Sequence, residues 1–344
     1  MDKCKEVERS IITKFRPTIW RLFLRGIDEY KMISEGDKIA VCVSGGKDSM
    51  LLAKCMQELL AHGDVKFELK FIAMNPGYNE VNRKLLEDNA KLLNVPLEFF
   101  ETNIFDVVEN IKESPCYLCA RMRRGHLYSM AKKLGCNKIA LGHHFDDVIE
   151  TILMGMLYGS QVQTMMPKLH STNFPGMELI RPLYLVKEKS ILHWAKSNEL
   201  KFLRCACKFT LERETKENSK RQEIKELIDS LRKVYPNVDI NIFRSVHDVN
   251  LNTLIGYHND TMRYNFLDDY DFYKEIDVLL LGQTLPVGLD YLDLSYIAFT
   301  NYETENVMYK NTAYYTDNFS FCREKPKFML EDGSFYISKE WVID

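Results

Sequence analysis

The chain has no run of 18 consecutive apolar residues, the length at which a membrane-spanning helix becomes the expectation. Its first residues, Met1-Asp-Lys-Cys-Lys-Glu6, lack the apolar stretch of a secretory signal. It has no internal repeat and no low-complexity segment, so solenoid and disordered architectures are excluded. It also lacks an even cysteine set. Nine cysteines cannot all pair, and without a secretory signal the expected setting is the reducing cytoplasm. Clustered cysteines there read as metal or redox ligands rather than as a disulfide framework.

What is present suits a globular protein. The 344 residues are 46% hydrophobic and 28% charged, enough for a sizeable core in one large domain plus an appendage, or in two domains. The net charge of −3 conceals an asymmetry: residues 265–344 carry 6 Lys or Arg against 15 Asp or Glu, a net of −9. The remainder holds 40 against 34, a net of +6, and a mildly basic body suits an anionic partner.

The stretch Lys38-Ile-Ala-Val-Cys-Val-Ser44-Gly45-Gly46-Lys47-Asp48-Ser49 organises the rest. Ile39 to Val43 read as a buried strand, and Met50-Leu-Leu-Ala53 opens a helix. A strand, a glycine turn and a helix start together form a phosphate cradle, because N–H groups without intrahelical partners point at the anion. Lys47 adds a mobile charge, and Ser44 and Ser49 add hydroxyls. Asp48 makes sense there when a divalent metal bridges it to phosphate. The Walker spacing G-x-x-x-x-G-K-[ST] is not met. The plain alternative is a strand-to-helix turn rich in glycine and serine.

Along the chain, residues 6–33 read as a helical segment interrupted near Pro17, and its Lys14, Arg16, Arg21 and Arg25 suit either nucleic-acid phosphates or solvent. Helices over 49–61, 79–93, 104–112 and 116–134 alternate with strands at 69–74, 97–102 and 138–141. A helical run 148–157 follows Gly142-His143-His144-Phe-Asp146-Asp147. This alternation predicts an α/β fold with a doubly wound parallel sheet. The glycine loop, Met74-Asn75 and the His-His-x-Asp-Asp stretch all fall at strand carboxyl ends, where ligands of such sheets sit. Residues 158–182 read as loop with a short strand before Arg181-Pro182-Leu183. Helices near 187–197 and 219–234 follow, the second packing Ile224, Leu227, Ile228 and Leu231. The boundaries expected are a helical segment 1–34, a main domain 35–264 and a small β-rich extension 265–344 with a strand at 277–281 and a hairpin around Glu331-Asp-Gly333.

Cys116-Tyr-Leu-Cys119 follows Pro115 at a helix start, so the i, i+3 spacing sets both sulfurs on one face near the positive end of the dipole. The pair suits a redox dithiol, half of a zinc site, half of an iron–sulfur site, or two packed cysteines. Cys205 and Cys207 are the further candidates, and three protein ligands would leave one iron open. Cys4, Cys42, Cys55, Cys136 and Cys322 read as packing residues.

The Ser44–Ser49 loop resembles that of the PP-loop ATP pyrophosphatases. Cys116-Tyr-Leu-Cys119-Ala-Arg-Met-Arg123-Arg124-Gly125 is similar to the cysteine helix of the tRNA 2-thiocytidine synthetases. So are Gly142-His-His-Phe-Asp-Asp-Val-Ile-Glu150-Thr151, Met166-Pro-Lys-Leu169, Ile180-Arg-Pro-Leu183 and Val234-Tyr-Pro236. The resemblance spans about residues 20–260. It implies ATP at Ser44, Gly45, Gly46, Lys47, Asp48, Ser49, Met74, Gly142 and His144, with Lys47, Asp48, Asp146 and Asp147 as catalytic or Mg2+-binding groups. It implies a [4Fe–4S] cluster on Cys116, Cys119 and Cys205, with Cys207 as the alternative third ligand. The implied reaction adenylates the C2 oxygen of a tRNA anticodon-loop cytidine and replaces it with sulfur. The expected partners are tRNA, a sulfur donor such as a cysteine desulfurase or free sulfide, and a second copy in a homodimer.

The chain departs from that family where Cys205-Ala-Cys207 stands in place of a second C-x-x-C, and residues 265–344 have no recognised counterpart. Arg123 and Arg124 suit RNA phosphates or a solvated face. His143, His144 and the Asp pair suit nucleotide or metal contacts, or simply the cap of the next helix. The alternatives for function are a 2-thiouridine-type or zinc-containing sulfurtransferase and a non-catalytic RNA-binding regulator on the same scaffold.

Overall fold

The computed structural model describes residues 2–109, 115–203, 220–268, 306–310 and 334–338, the last two stretches as backbone. By its contacts the chain divides into Met1–Asp248 and Val249–Asp344.

The first unit is built on a six-stranded sheet. Strands β1 (Lys38–Cys42), β2 (Glu68–Asn75), β3 (Leu97–Glu101), β4 (Lys138–Ala140), β5 (Lys168–His170) and β6 (Glu178–Ile180) lie in the order β3-β2-β1-β4-β6-β5. All neighbours are parallel except β5 with β6. Strand β1 shows why the core has two layers. Ile39 and Val41 pack into one cluster, Ala40 and Cys42 into another on the opposite face, as the two-residue strand period requires. Both faces are covered, so the central strands read as continuous apolar runs rather than alternating ones.

Helices α3 (Lys47–His62), α4 (Glu80–Leu92), α7 (Phe145–Gly159) and α8 (Glu188–Ser197) supply the first face. Helix α6 (Pro115–Lys133) covers the second with Tyr128 and Ala131. Helix α5 (Ile104–Glu109) is short and precedes it. Helices α9 (Lys220–Val234) and α10 (Val238–Arg244) lie against α7. In α9 only Ile224 and Ile228 are buried and Leu227 is exposed, so the packed stripe is narrower than the four-residue one expected.

The N-terminal segment is part of this core. Helices α1 (Lys3–Ile12) and α2 (Arg21–Glu29) flank a π-helical turn, Arg16–Trp20, that carries Pro17 near its start, where a missing N–H costs nothing. Val7, Ile11, Phe15 and Phe23 are buried in the first-face cluster. Buried Lys54 of α3 donates to Glu8 at 2.6 Å, to Gln57 at 2.7 Å and to the Leu93 carbonyl at 2.8 Å, which fixes α1 on the domain. Cys4, Cys42, Cys55 and Cys136 are buried, as packing residues should be.

The chain order places the change of direction between β1 and β4. The first three strands run outward from β1 one way, and the chain then returns to β4 on the other side. The loops after β1 and β4 therefore diverge at the crevice where doubly wound sheets take ligands.

In the second unit, β7 (Gly256–His258) pairs with β8 (Arg263–Asn265), and β9 (Asn306–Lys310) with β10 (Ser334–Ser338), both antiparallel. The turn expected around Glu331-Asp-Gly333 lies outside the described residues. The strand expected at 277–281 and Cys322 lie outside the described residues.

Candidate nucleotide-binding site

Three local devices shape the loop after β1. Gly45 has φ +85°, and a Cβ there would lie 2.5 Å from Cδ1 of Leu203 and 3.1 Å from Cδ1 of Leu86, so both conformation and space demand glycine. Gly46 precedes α3 without a side-chain cap, which leaves first-turn N–H groups for an anion. The Ser49 hydroxyl closes the turn, donating to the Gly46 carbonyl at 3.0 Å and accepting from the Ser44 N–H at 3.1 Å.

The end of β4 presses against this loop. A Cβ on Gly142 would lie 3.0 Å from the Ser49 nitrogen and 3.1 Å from the Asp48 carbonyl carbon. Gly142 is thus the residue that lets the two loops meet. The chain then enters α7 with His144 as its N-cap, in a reciprocal pair: Asp147 accepts from the His144 N–H at 2.9 Å, and His144 Nδ1 accepts from the Asp147 N–H at 3.4 Å. Helix α7 begins at Phe145, three residues before the expected start. Asp146 and Asp147 are therefore inside its first turn, and the capping role goes to His144.

Between these loops lies a cavity of about 340 Å³. Ser44, Asp48, Ser49, Arg123, His143 and Asp147 give it polar walls; Met74, Tyr78, Leu127 and Leu141 give it an apolar end. Three buried polar atoms have no hydrogen-bond partner: Asp48 Oδ1, Arg123 Nε and His143 Nδ1. Burial pushes the Asp48 carboxyl above its ordinary range, against the pull of His144 and Lys47. A buried acceptor in that condition calls for a cation or a donor. Burial, followed by the charge of Arg181, holds His143 down to about 4, so its ring is neutral at physiological pH. Arg123 lies over the Phe105 ring, its guanidinium carbon 5.4 Å from the centroid. The structure brings Arg123 to the cavity and leaves Arg124 exposed, dividing a pair that the sequence assigned together to RNA.

The two aspartates also part company. Asp147 faces the cavity. Asp146 lines a separate cleft of about 600 Å³, where it accepts from the Glu188 N–H at 2.6 Å and from Arg232 Nη2 at 2.5 Å. Asp146 thereby ties α7 to the start of α8 and the last turn of α9, and a nucleotide in the cavity would meet Asp147 instead.

Lys47 bonds Asp48 Oδ2 at 3.1 Å and Glu188 Oε1 at 2.9 Å. Burial alone would raise the Glu188 carboxyl, but Lys47 and then Lys225 bring it down to about 2. Glu188 was not singled out in the sequence. Its signal was available, because it opens a helix directly after the Arg181-Pro-Leu183 stretch. Arg221 was missed too; it bonds Glu150 at 2.7 Å and pairs with Asp147.

The cysteine helix reaches the same wall. Helix α6 starts at Pro115 and puts Cys116 and Cys119 in its first turns. Cys119 is half-buried against a small cluster of Met74 and Ile104, and Met74 is also a wall of the cavity. Cys205 and Cys207 lie outside the described residues. The chain leading to them is fixed: the Leu203 N–H donates to the Gly45 carbonyl at 3.1 Å, and Asn89 Nδ2 to the Lys201 carbonyl at 2.8 Å.

Residues 23–207 match the family model of the PP-loop domain. The tRNA-cytidine(32) 2-sulfurtransferase of Nitrosomonas eutropha is 36% identical over 298 residues, covering 81% of this chain and 89% of that protein. The tRNA-cytidine(32) 2-sulfurtransferase of Alcanivorax borkumensis is 35% identical over 255 residues, covering 72% of this chain and 86% of its own length. Among solved structures, the U34-tRNA thiolase NcsA from Methanococcus maripaludis with its [4Fe-4S] cluster shares the fold. It has a TM-score of 0.53 and 21% identity over 66% of this chain and 76% of that one.

Proposed function

The chain belongs to the PP-loop family, alongside the tRNA-cytidine(32) 2-sulfurtransferases, and from that premise we propose that it thiolates a tRNA cytidine in the anticodon loop at the expense of ATP. ATP enters the cavity with its phosphates on the Ser44–Ser49 loop and its base toward Met74 and Leu141. The cytidine C2 oxygen attacks the α-phosphorus, pyrophosphate leaves, and sulfur then displaces AMP at C2. The observation that carries the reading is the shared wall: the phosphate loop, unpartnered Arg123 and Asp48 atoms, and Met74 with Cys119 packed behind it meet at one cavity.

The chain's own residues divide the work. Lys47 and the first turn of α3 hold phosphate charge as it builds on the departing pyrophosphate. Half-buried Arg123, whose Nε has no hydrogen-bond partner, donates to an oxygen of the reacting phosphate. Neutral His143 and the apolar end exclude water. Asp48 Oδ1 and Asp147 suit a divalent cation, two hard oxygen donors that leave positions for phosphate oxygens; Mg2+ would supply Lewis-acid charge there. Cys116 and Cys119, one turn apart at the positive end of α6, suit two corners of an iron–sulfur cluster, with Cys205 as third ligand and Cys207 as its alternative. Such a cluster supplies a site for the incoming sulfur. The sulfur comes from a cysteine desulfurase or free sulfide, and the enzyme is a homodimer.

The test is an anaerobic reaction with ATP, sulfide and tRNA, read as AMP, pyrophosphate and 2-thiocytidine in the digested RNA. ADP and phosphate as products would refute the reading. The preparation should be brown, bleach in air and carry about four irons per chain. A colourless, iron-free preparation that still thiolates would remove the cluster. Cys205→Ser should abolish thiolation and Cys207→Ser spare it; the reverse result would reassign the third ligand.

A further inference from the structure

Eight side chains form a closed ring that borders the cavity at Asp48 and Asp147 and the separate cleft at Glu150, Lys225 and Glu188. Lys47 pairs with Asp48 at 3.1 Å, and Asp48 faces His144 Nε2 at 3.7 Å. His144 faces Asp147 at 3.4 Å, Asp147 pairs with Arg221, and Arg221 bonds Glu150 at 2.7 Å. Glu150 meets Lys225 at 3.6 Å, Lys225 meets Glu188 at 3.3 Å, and Glu188 returns to Lys47 at 2.9 Å. The ring joins the phosphate loop, the starts of α7 and α8, and one face of α9, where Arg221 and Lys225 stand four residues apart.

Its arithmetic is specific. Four carboxylates, Asp48, Asp147, Glu150 and Glu188, are answered by three fixed cations, Lys47, Arg221 and Lys225. Glu188 is the shared member, one oxygen on Lys47 and the other on Lys225. A triphosphate on the loop needs Lys47, and Glu188 competes for it. Lys225 answers the charge that Lys47 would leave behind. Arg221 does the same for Asp147 and for Glu150, which is nearly inaccessible to solvent. Neither cation belongs to the phosphate loop.

We propose that Arg221 and Lys225 are positioning residues for ATP: by holding Asp147, Glu150 and Glu188 they release Lys47 to the triphosphate and keep the cavity from repelling it. The proposal rests on the reading that this cavity takes ATP.

The experiment measures ATP affinity by calorimetry, and KM and kcat for AMP formation with tRNA, on the full chain. Lys225→Gln should weaken ATP binding and raise its KM about tenfold, with kcat changed far less. Adding Glu188→Gln to Lys225→Gln should restore both toward wild type, because the competitor for Lys47 is then gone. A merely structural role for Lys225 would not be rescued by removing a second charge. Arg221→Gln should also raise KM, and Arg221→Lys should recover part of the loss; this variant keeps the test open if Arg221→Gln folds poorly. An unchanged KM in Lys225→Gln, or a raised one that Glu188→Gln fails to restore, would overturn the proposal while leaving the ATP reading intact. Wild-type protein that binds no ATP would sink both.

Discussion

Gly45 shows how closely a residue's chemistry can be read from its neighbours. Its positive φ and the Leu203 side chain at 2.5 Å from any added Cβ mean that Gly45→Ala must strain the loop and displace the Leu203 side chain. The substitution should destabilise the fold by at least about 1 kcal/mol and weaken ATP binding, checked by thermal melts with and without ATP. Lys47→Ala acts differently. Its partners Asp48 and Glu188 are half-buried carboxylates, and Glu188 keeps Lys225, so melting should move little while AMP formation falls about 100-fold or more. His143 carries a pH signature. Its folded pKa lies near 4, below the unfolded value, so the unfolded chain binds the extra proton between them. The stability from the neutral ring is complete above about 6.5 and declines as pH falls toward 4. Denaturant midpoints across that window should flatten in His143→Gln; an identical slope in both proteins would place the titration elsewhere.

At the scale of elements, legibility followed periodicity. Strands β1 to β4 and helices α3, α4, α6 and α8 stand within two residues of their sequence positions, because long apolar runs and helical stripes leave little choice. Strand β5 escaped notice because Lys168-Leu-His170 is too short to alternate; it is an edge strand, and its Lys and His suit that position. Helix α10 is seven residues long with two buried positions, Asp239 and Phe243, too few to form a stripe. The start of α7 was misjudged because aspartates ahead of an apolar run read as caps, whereas His144 fills that place through its ring nitrogen. Caps that do not themselves line the cavity separate stability from chemistry, even beside a wall residue such as Tyr78. Asn79 caps α4 by accepting from the Asn82 N–H at 2.8 Å, so Asn79→Ala should cost about 1 kcal/mol. Its KM for ATP should stay at the wild-type value.

For the whole molecule, the cavity was legible because three motifs fell at strand ends and topology had to gather them. The ion-pair ring was not, since Arg221 and Lys225 lie more than seventy residues beyond Asp147 and carry no spacing that links them to it. Only the fold joins them. The same division of labour bears on the two units. Every described residue of the cavity and ring lies in Met1–Asp248, which holds 39 Lys or Arg against 33 Asp or Glu. Residues 249–344 hold 7 against 16, a net of −9. An acidic unit adds nothing to phosphate binding and weakens the long-range attraction of the basic unit for RNA. A chain ending at Asp248 should therefore still convert ATP to AMP with tRNA present, at a rate within a few-fold of the full chain. Its tRNA affinity should be higher at low salt, with the difference shrinking as salt screens the tail's charge. Parallel binding isotherms at two or more ionic strengths make the comparison. A truncated protein that folds, binds ATP and yet loses tRNA would assign the acidic unit a direct part in RNA recognition.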